Sequence, residues 1–173
     1  MARGGAAKRV FSNYRESKTM NERDQKLELL GYPLDRCTPE GSLVDALAIA
    51  GDILYASGQV PFDGDQLTSV GKVPSQISVE QATTAAALCA ANVLRAVRKH
   101  LGSLDRIQRV VRITGYVNAV DTFTDCHLVI NGASHLVREV FGEDGRHART
   151  ALAMSQLPLG VSVEIEMILQ LKK

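Results

Sequence analysis

The plainest pattern in the chain lies near its C-terminus. Over residues 161–171, Val161, Val163, Ile165, Met167, Leu169 and Leu171 alternate with Ser162, Glu164, Glu166 and Gln170. A period of two predicts a strand with one buried face. Residues 78–102 carry a different period. Val79, Ala82, Ala86, Cys89, Val93 and Val97 recur at spacings of three and four, the stripe of an amphipathic helix. Ser78 and Gln81 stand at capping-box spacing before that stripe, and Gly102 stands where such a helix stops. Arg95, Arg98, Lys99 and His100 crowd its last turns, where positive charge suits the helix dipole. A second helical pattern over residues 124–141 buries Val129, Ala133, Leu136, Val137 and Val140, and Gly142-Glu143-Asp144-Gly145 breaks it.

Shorter apolar runs complete the body. Residues 42–49 and 53–60 read as two strands joined at Ala50-Gly51-Asp52, a hairpin signal. Residues 61–77 are rich in Pro, Gly and polar residues and read as a loop. Residues 107–117 predict a strand with Val111, Ile113 and Val117 on one face and Arg112, Thr114 and Tyr116 on the other. Residues 148–156 predict another strand, followed by a turn at Leu157-Pro158-Leu159-Gly160. Residues 21–31 predict a short helix capped by Asn21 and stopped by Gly31, with Pro33 beyond. The order strand, strand, helix, strand, helix, strand, strand predicts an α+β fold, a mixed sheet with two main helices packed on one face.

Composition narrows the class. With 173 residues, 45% apolar and 23% charged, the chain suits one globular domain over residues 20–173. Residues 1–19 stand apart, with Arg3, Lys8, Arg9, Arg15 and Lys18 against Glu16. They read as a flexible basic extension or, alternatively, as a mitochondrial presequence. Lys+Arg number 20 and Asp+Glu 19, a net charge of +1, which argues against a dedicated nucleic-acid binder. Trp is absent and aromatics are only 5%, so no platform for stacking bases is visible. No apolar run approaches the ~20 residues that span a bilayer. Cys37, Cys89 and Cys126 are widely separated and give neither a disulfide framework nor a zinc pattern. A reducing, cytoplasmic setting fits that usage.

Residues with obvious chemistry are few. There is no P-loop, GxGxxG or HExxH motif. His127 and His135 fall on one helix without a third ligand, so no metal site is expected. Arg149 and Glu164, fifteen residues apart, stand on otherwise apolar strands that flank the Leu157–Gly160 turn. Such an arginine either pairs with an internal carboxylate or holds an anionic ligand on its donor fork. Ser57-Gly58-Gln59 at a strand end is similarly open: the glycine permits a bend, or it lets a ligand approach the backbone.

Several motifs together resemble the RidA family, also known as YjgF or endoribonuclease L-PSP proteins. They are Gly51-Asp52-Ile53-Leu54-Tyr55-Ala56-Ser57-Gly58-Gln59-Val60-Pro61, Gly71-Lys72-Val73, Ala90-Ala91-Asn92-Val93 and Val117-Asn118 before Phe123. Arg149-Thr150 and Leu157-Pro158-Leu159-Gly160-Val161-Ser162-Val163-Glu164-Ile165-Glu166 complete the signature. The likeness covers roughly residues 40–172. Asn131-Gly132-Ala133-Ser134 with Phe141-Gly142-Glu143 resembles a divergent branch.

This resemblance implies a chorismate-mutase-like fold and a homotrimer with ligand sites at the subunit clefts. It implies hydrolysis of reactive 2-imino or 2-enamino acids to 2-keto acids and ammonia, with no metal or cofactor. By the same likeness Arg149 holds the substrate carboxylate and Glu164 holds or activates water. Ser57, Gly58, Asn131 and the backbone near Ala151 line the pocket. Two departures are visible. Ser42-Leu43-Val44 replaces a Gly-Pro-Tyr, with Val44 near the tyrosine position, and Ala151 replaces a cysteine common in the family. A non-catalytic protein that binds small carboxylates is the alternative, and endoribonuclease action a more distant one.

Overall fold

A computed structural model describes residues 21–36 and 43–173. The basic stretch 1–19, Cys37 and Ser42 lie outside the described residues. The chain runs α1 (Glu22–Leu29), β1 (Leu47–Ala50), β2 (Ile53–Gln59), β3 (Phe62–Asp63), β4 (Gln66–Leu67), α2 (Val79–Leu101), β5 (Ile107–Asn118), α3 (Cys126–Phe141), β6 (Ala148–Met154) and β7 (Val163–Leu171). Five strands form a sheet in the order β1-β2-β7-β5-β6, and β3 and β4 form a small hairpin. Only the β5–β6 pair is parallel; the others are antiparallel. That parallel pair needs a crossover, and α3 supplies it. Both long helices pack on the same face of the sheet.

The core follows from the two periods. Val163, Ile165, Met167 and Leu169 of β7 are all but fully buried beneath the helices. Ala82, Ala85, Ala86, Cys89, Ala90, Val93 and Val97 of α2 cover them. Small residues dominate that stripe and bring α2 close to both the sheet and α3. The predicted box closes at the start of α2: Ser78 Oγ accepts from Gln81 N, and the Gln81 side chain accepts from Ser78 N. Gly102 ends α2 at φ 81, a left-handed conformation that glycine adopts without strain.

Several expectations need correction. The first strand is shorter than residues 42–49, because pairing with β2 begins only at Leu47. The 61–77 loop contains the β3–β4 hairpin. On β5 the buried apolar set is Ile107, Val110, Ile113 and Val117, with Val111 only half buried. The register against β7 slips between Val110 and Arg112, and such a bulge moves a side chain to the other face. Ser162 does not share the open face of Glu164. It is fully buried, with its hydroxyl 2.6 Å from that of Ser69. Asn21 starts α1 without a side-chain cap; its Nδ2 donates instead to Ser103 Oγ at 2.5 Å.

Polar contacts dock α1 as much as apolar ones do. Asp24 is buried and accepts from Leu104 N at 2.9 Å and Arg98 Nε at 3.2 Å. Arg23 lies over the Phe141 ring, 4.8 Å from its centroid, and pairs with Asp144 at 2.7 Å. Arg98 therefore has a specific carboxylate partner as well as a favourable place on the dipole.

Candidate functional site

The sheet has two unlike faces, and the predicted site residues divide between them. Arg149 is opposite Ile113 in the β5–β6 register and so lies on the helix-covered face. Its Nη1 donates to Asn131 Oδ1 at 2.8 Å and to Ser134 Oγ at 3.1 Å. Asn131 and Ser134 are three residues apart on α3, so they present adjacent groups to the edge strand. Ala151 is two residues beyond Arg149 on the same face. Arg149 is exposed, and its Nε and Nη2 have no partner among the described residues.

Glu164 stands on the opposite face. It pairs in register with Tyr116, and Tyr116 with Leu152. Arg149 belongs to the row of Ile113 and Met167. The two residues are thus two strands apart, three positions or ~10 Å along the strands, and on opposite faces. The internal ion pair left open by the sequence does not form within one chain. The other partner considered for Arg149, an anionic ligand, suits its free donor edge.

Gly58 belongs with Glu164. The β2–β7 register breaks between Ala56 and Gln59, so Ser57 and Gly58 sit in a bulge. The Glu164 carboxylate lies across Gly58: a Cβ there would come within 1.9 Å of Oε1. Only a residue without a side chain leaves that carboxylate its place. Ser57 is turned toward β1, its Oγ donating to Asp45 O at 2.8 Å. Val44, at the position where the resemblance expects tyrosine, is exposed and next to Asp45. It brings no hydroxyl to this edge.

Electrostatics distinguish the two half-sites. Burial pushes the half-buried Glu164 carboxyl above its usual range, and the charge of Glu166 adds to that. A carboxyl raised in this way exchanges protons nearer neutral pH. Around Arg149 the sequence left two residues without a role. His147 Nε2 lies 3.0 Å from Ser134 Oγ, and His147 Nδ1 lies 2.7 Å from Gly145 O. Burial holds His147 below the ordinary imidazole value; Arg149 and Arg138 lower it further against the bond to Gly145. The available signal was His147 two residues before Arg149 and Ser134 three after Asn131, spacings that share a strand face and a helix face.

Comparison with known proteins agrees with this fold. Residues 32–170 match the profile of the family described as "YjgF/chorismate_mutase-like, putative endoribonuclease". The chain is 36% identical over 146 residues to Protein TCP17 of Trypanosoma cruzi, covering 84% of this chain and 91% of that one. It is similar to the crystal structure of Atu1372 from Agrobacterium tumefaciens, a protein of unknown function. There the TM-score is 0.80 at 40% identity, over 87% of this chain and 92% of that chain. A "putative endoribonuclease" from Shewanella oneidensis superposes with a TM-score of 0.83 at 26% identity, over 87% of this chain and all of that one. Sequence motifs, helix-covered mixed sheet and family match agree: the chain belongs to the YjgF/RidA family and has its chorismate-mutase-like α+β fold.

Proposed function

We propose that the protein hydrolyses small 2-imino or 2-enamino acids to 2-keto acids and ammonia. One observation carries the reading: Arg149 is anchored through Nη1 by neutral oxygens, while its Nε and Nη2 edge is open. That edge suits a carboxylate taken through two parallel charge-assisted bonds. The carboxylate of a 2-imino acid adjoins the reacting carbon, so clamping it fixes the imine for attack.

Glu164 is the group proposed to take a proton from the attacking water. The water oxygen bonds to C2, the imine nitrogen gains a proton, and a carbinolamine forms. Its C–N bond then breaks, ammonia leaves, and the C2 oxygen becomes the keto oxygen as it loses its proton. For 2-iminopropanoate plus water the products are pyruvate and ammonia. A protonated imine accepts water readily, so positioning and one proton acceptor suffice.

Because Arg149 and Glu164 do not meet within one chain, this chemistry requires a second copy. An Arg149 edge from one protomer against the Gly58–Glu164 face of the next would complete each site, in keeping with the homotrimer implied by the resemblance. Exposed Tyr55, Leu152 and Met154 near the open sheet face support such burial. Carboxylate binding without turnover is the second reading, favoured by Val44 and Ala151, which offer neither hydroxyl nor thiol. For RNA cleavage, 20 basic against 19 acidic residues and no Trp provide little hold on a polyanion.

The test is keto-acid release from freshly generated 2-iminopropanoate. Wild type should accelerate it, and Arg149→Ala should lose ~10²-fold or more, the worth of a two-bond ionic contact. Folded wild-type protein that gives no acceleration but binds pyruvate would leave the second reading in place of the first.

A further inference from the structure

We propose that Ser134 and His147 form a hydrogen-bond relay that orients Arg149, and that neutral His147 keeps the relay in register. The inference rests on the carboxylate role proposed for Arg149. Direction along the relay follows from donors and acceptors. Gly145 O can only accept, so His147 Nδ1 carries the ring hydrogen at 2.7 Å. Nε2 is then an acceptor, and it takes the Ser134 hydroxyl hydrogen at 3.0 Å. With its hydrogen committed to the ring, Ser134 Oγ turns a lone pair to Arg149 Nη1 at 3.1 Å. Every group in the chain from arginine to carbonyl has one consistent role, and Asn131 Oδ1 braces the same Nη1 at 2.8 Å.

A second proton on His147 breaks this order. Nε2 becomes a donor, the serine hydrogen has to leave it, and an imidazolium faces a guanidinium across one oxygen. The charged groups near His147 are Arg149 on β6 and Arg138 on α3. Glu143, in the turn after α3, is engaged by Arg138 at 2.9 Å and Arg146 at 3.4 Å. Burial and the two arginines lower the His147 pKa from 6.5. The relay is therefore complete at pH 7 and is lost as pH falls through a midpoint below that value. Ser134 and His147 are positioning residues: neither is placed on the substrate.

The sign of the acid response separates a relay from plain charge. A histidine that merely added positive charge would strengthen anion binding in acid; loss of orientation weakens it. Pyruvate serves as the probe, titrated calorimetrically into the intact protein between pH 5 and 8. His147 is titrated in parallel by ring NMR. Wild type should bind about tenfold more weakly once His147 is protonated, with the same midpoint in both measurements. Ser134→Ala should bind about tenfold more weakly at pH 7.5 and show no such step. His147→Gln, whose amide oxygen accepts the serine hydrogen at every pH, should also show none. Affinity that rises in acid, or an equal step in Ser134→Ala, overturns the relay. If wild type binds no pyruvate, the carboxylate reading falls by itself. The relay is then decided by rotation of the Arg149 guanidinium without ligand. Slow rotation at pH 7.5 that quickens as His147 protonates, and is quick throughout in Ser134→Ala, supports it. Rotation indifferent to His147 refutes it.

Discussion

At Gly58 the absence of one carbon positions a carboxylate. Its neighbour is the far end of a flexible side chain, not backbone, so Gly58→Ala should leave the fold within ~1 kcal/mol of wild type. Glu164 would have to swing away, and imine hydrolysis should fall at least ~10-fold, part of what a placed proton acceptor contributes. Thermal melting with a steady-state rate measures both; an alanine variant with full activity would remove Glu164 from the chemistry. Arg149, Glu164 and Gly58 were legible as residues because charge and glycine are conspicuous on apolar strands. Their division between two faces was less so. It follows from the β6–β5–β7 register, in which Arg149 stands three positions from the row of Glu164, and the strand runs carry no mark of that register. Gly58, by contrast, already suggested a bend where β2 bulges. Ser134 and His147 were invisible as a pair, since a helix and a strand start had to meet before their spacing meant anything.

The long helices were the most readable elements, because stripe, capping box and left-handed Gly102 agree. The strands were readable as runs but not in register. The slip between Val110 and Arg112 exchanges Val110 for Val111 in the core, and Ser162 is drawn inside by its bond to Ser69. Close approach of α2 and α3 was also hidden. A Cβ at Gly132 would lie 1.9 Å from Thr83 O, a backbone atom held in α2. That oxygen cannot swing aside as Glu164 can, so the helices would have to separate. Gly132→Ala should cost about 2–3 kcal/mol, read by denaturant unfolding. A cost below ~0.5 kcal/mol would mean that the α2–α3 contact yields more easily than its geometry indicates.

Across the whole molecule, chemistry and topology make opposite demands. The proposed hydrolysis needs Arg149 and Glu164 around one small acid, yet the five-stranded sheet keeps them on opposite faces. The closed assembly of identical chains proposed above would resolve this, because the edge of one copy could meet the open face of the next. The most direct measurement is therefore subunit complementation. Arg149→Ala and Glu164→Gln chains are prepared separately, each nearly inactive on 2-iminopropanoate, then unfolded together and refolded in equal amounts. If each site draws its arginine and its glutamate from different chains, random assembly leaves ~one quarter of the sites with both, and about that share of the wild-type rate should return. A mixture no more active than its two components, beside a refolded wild type that works, would contradict a site shared between subunits.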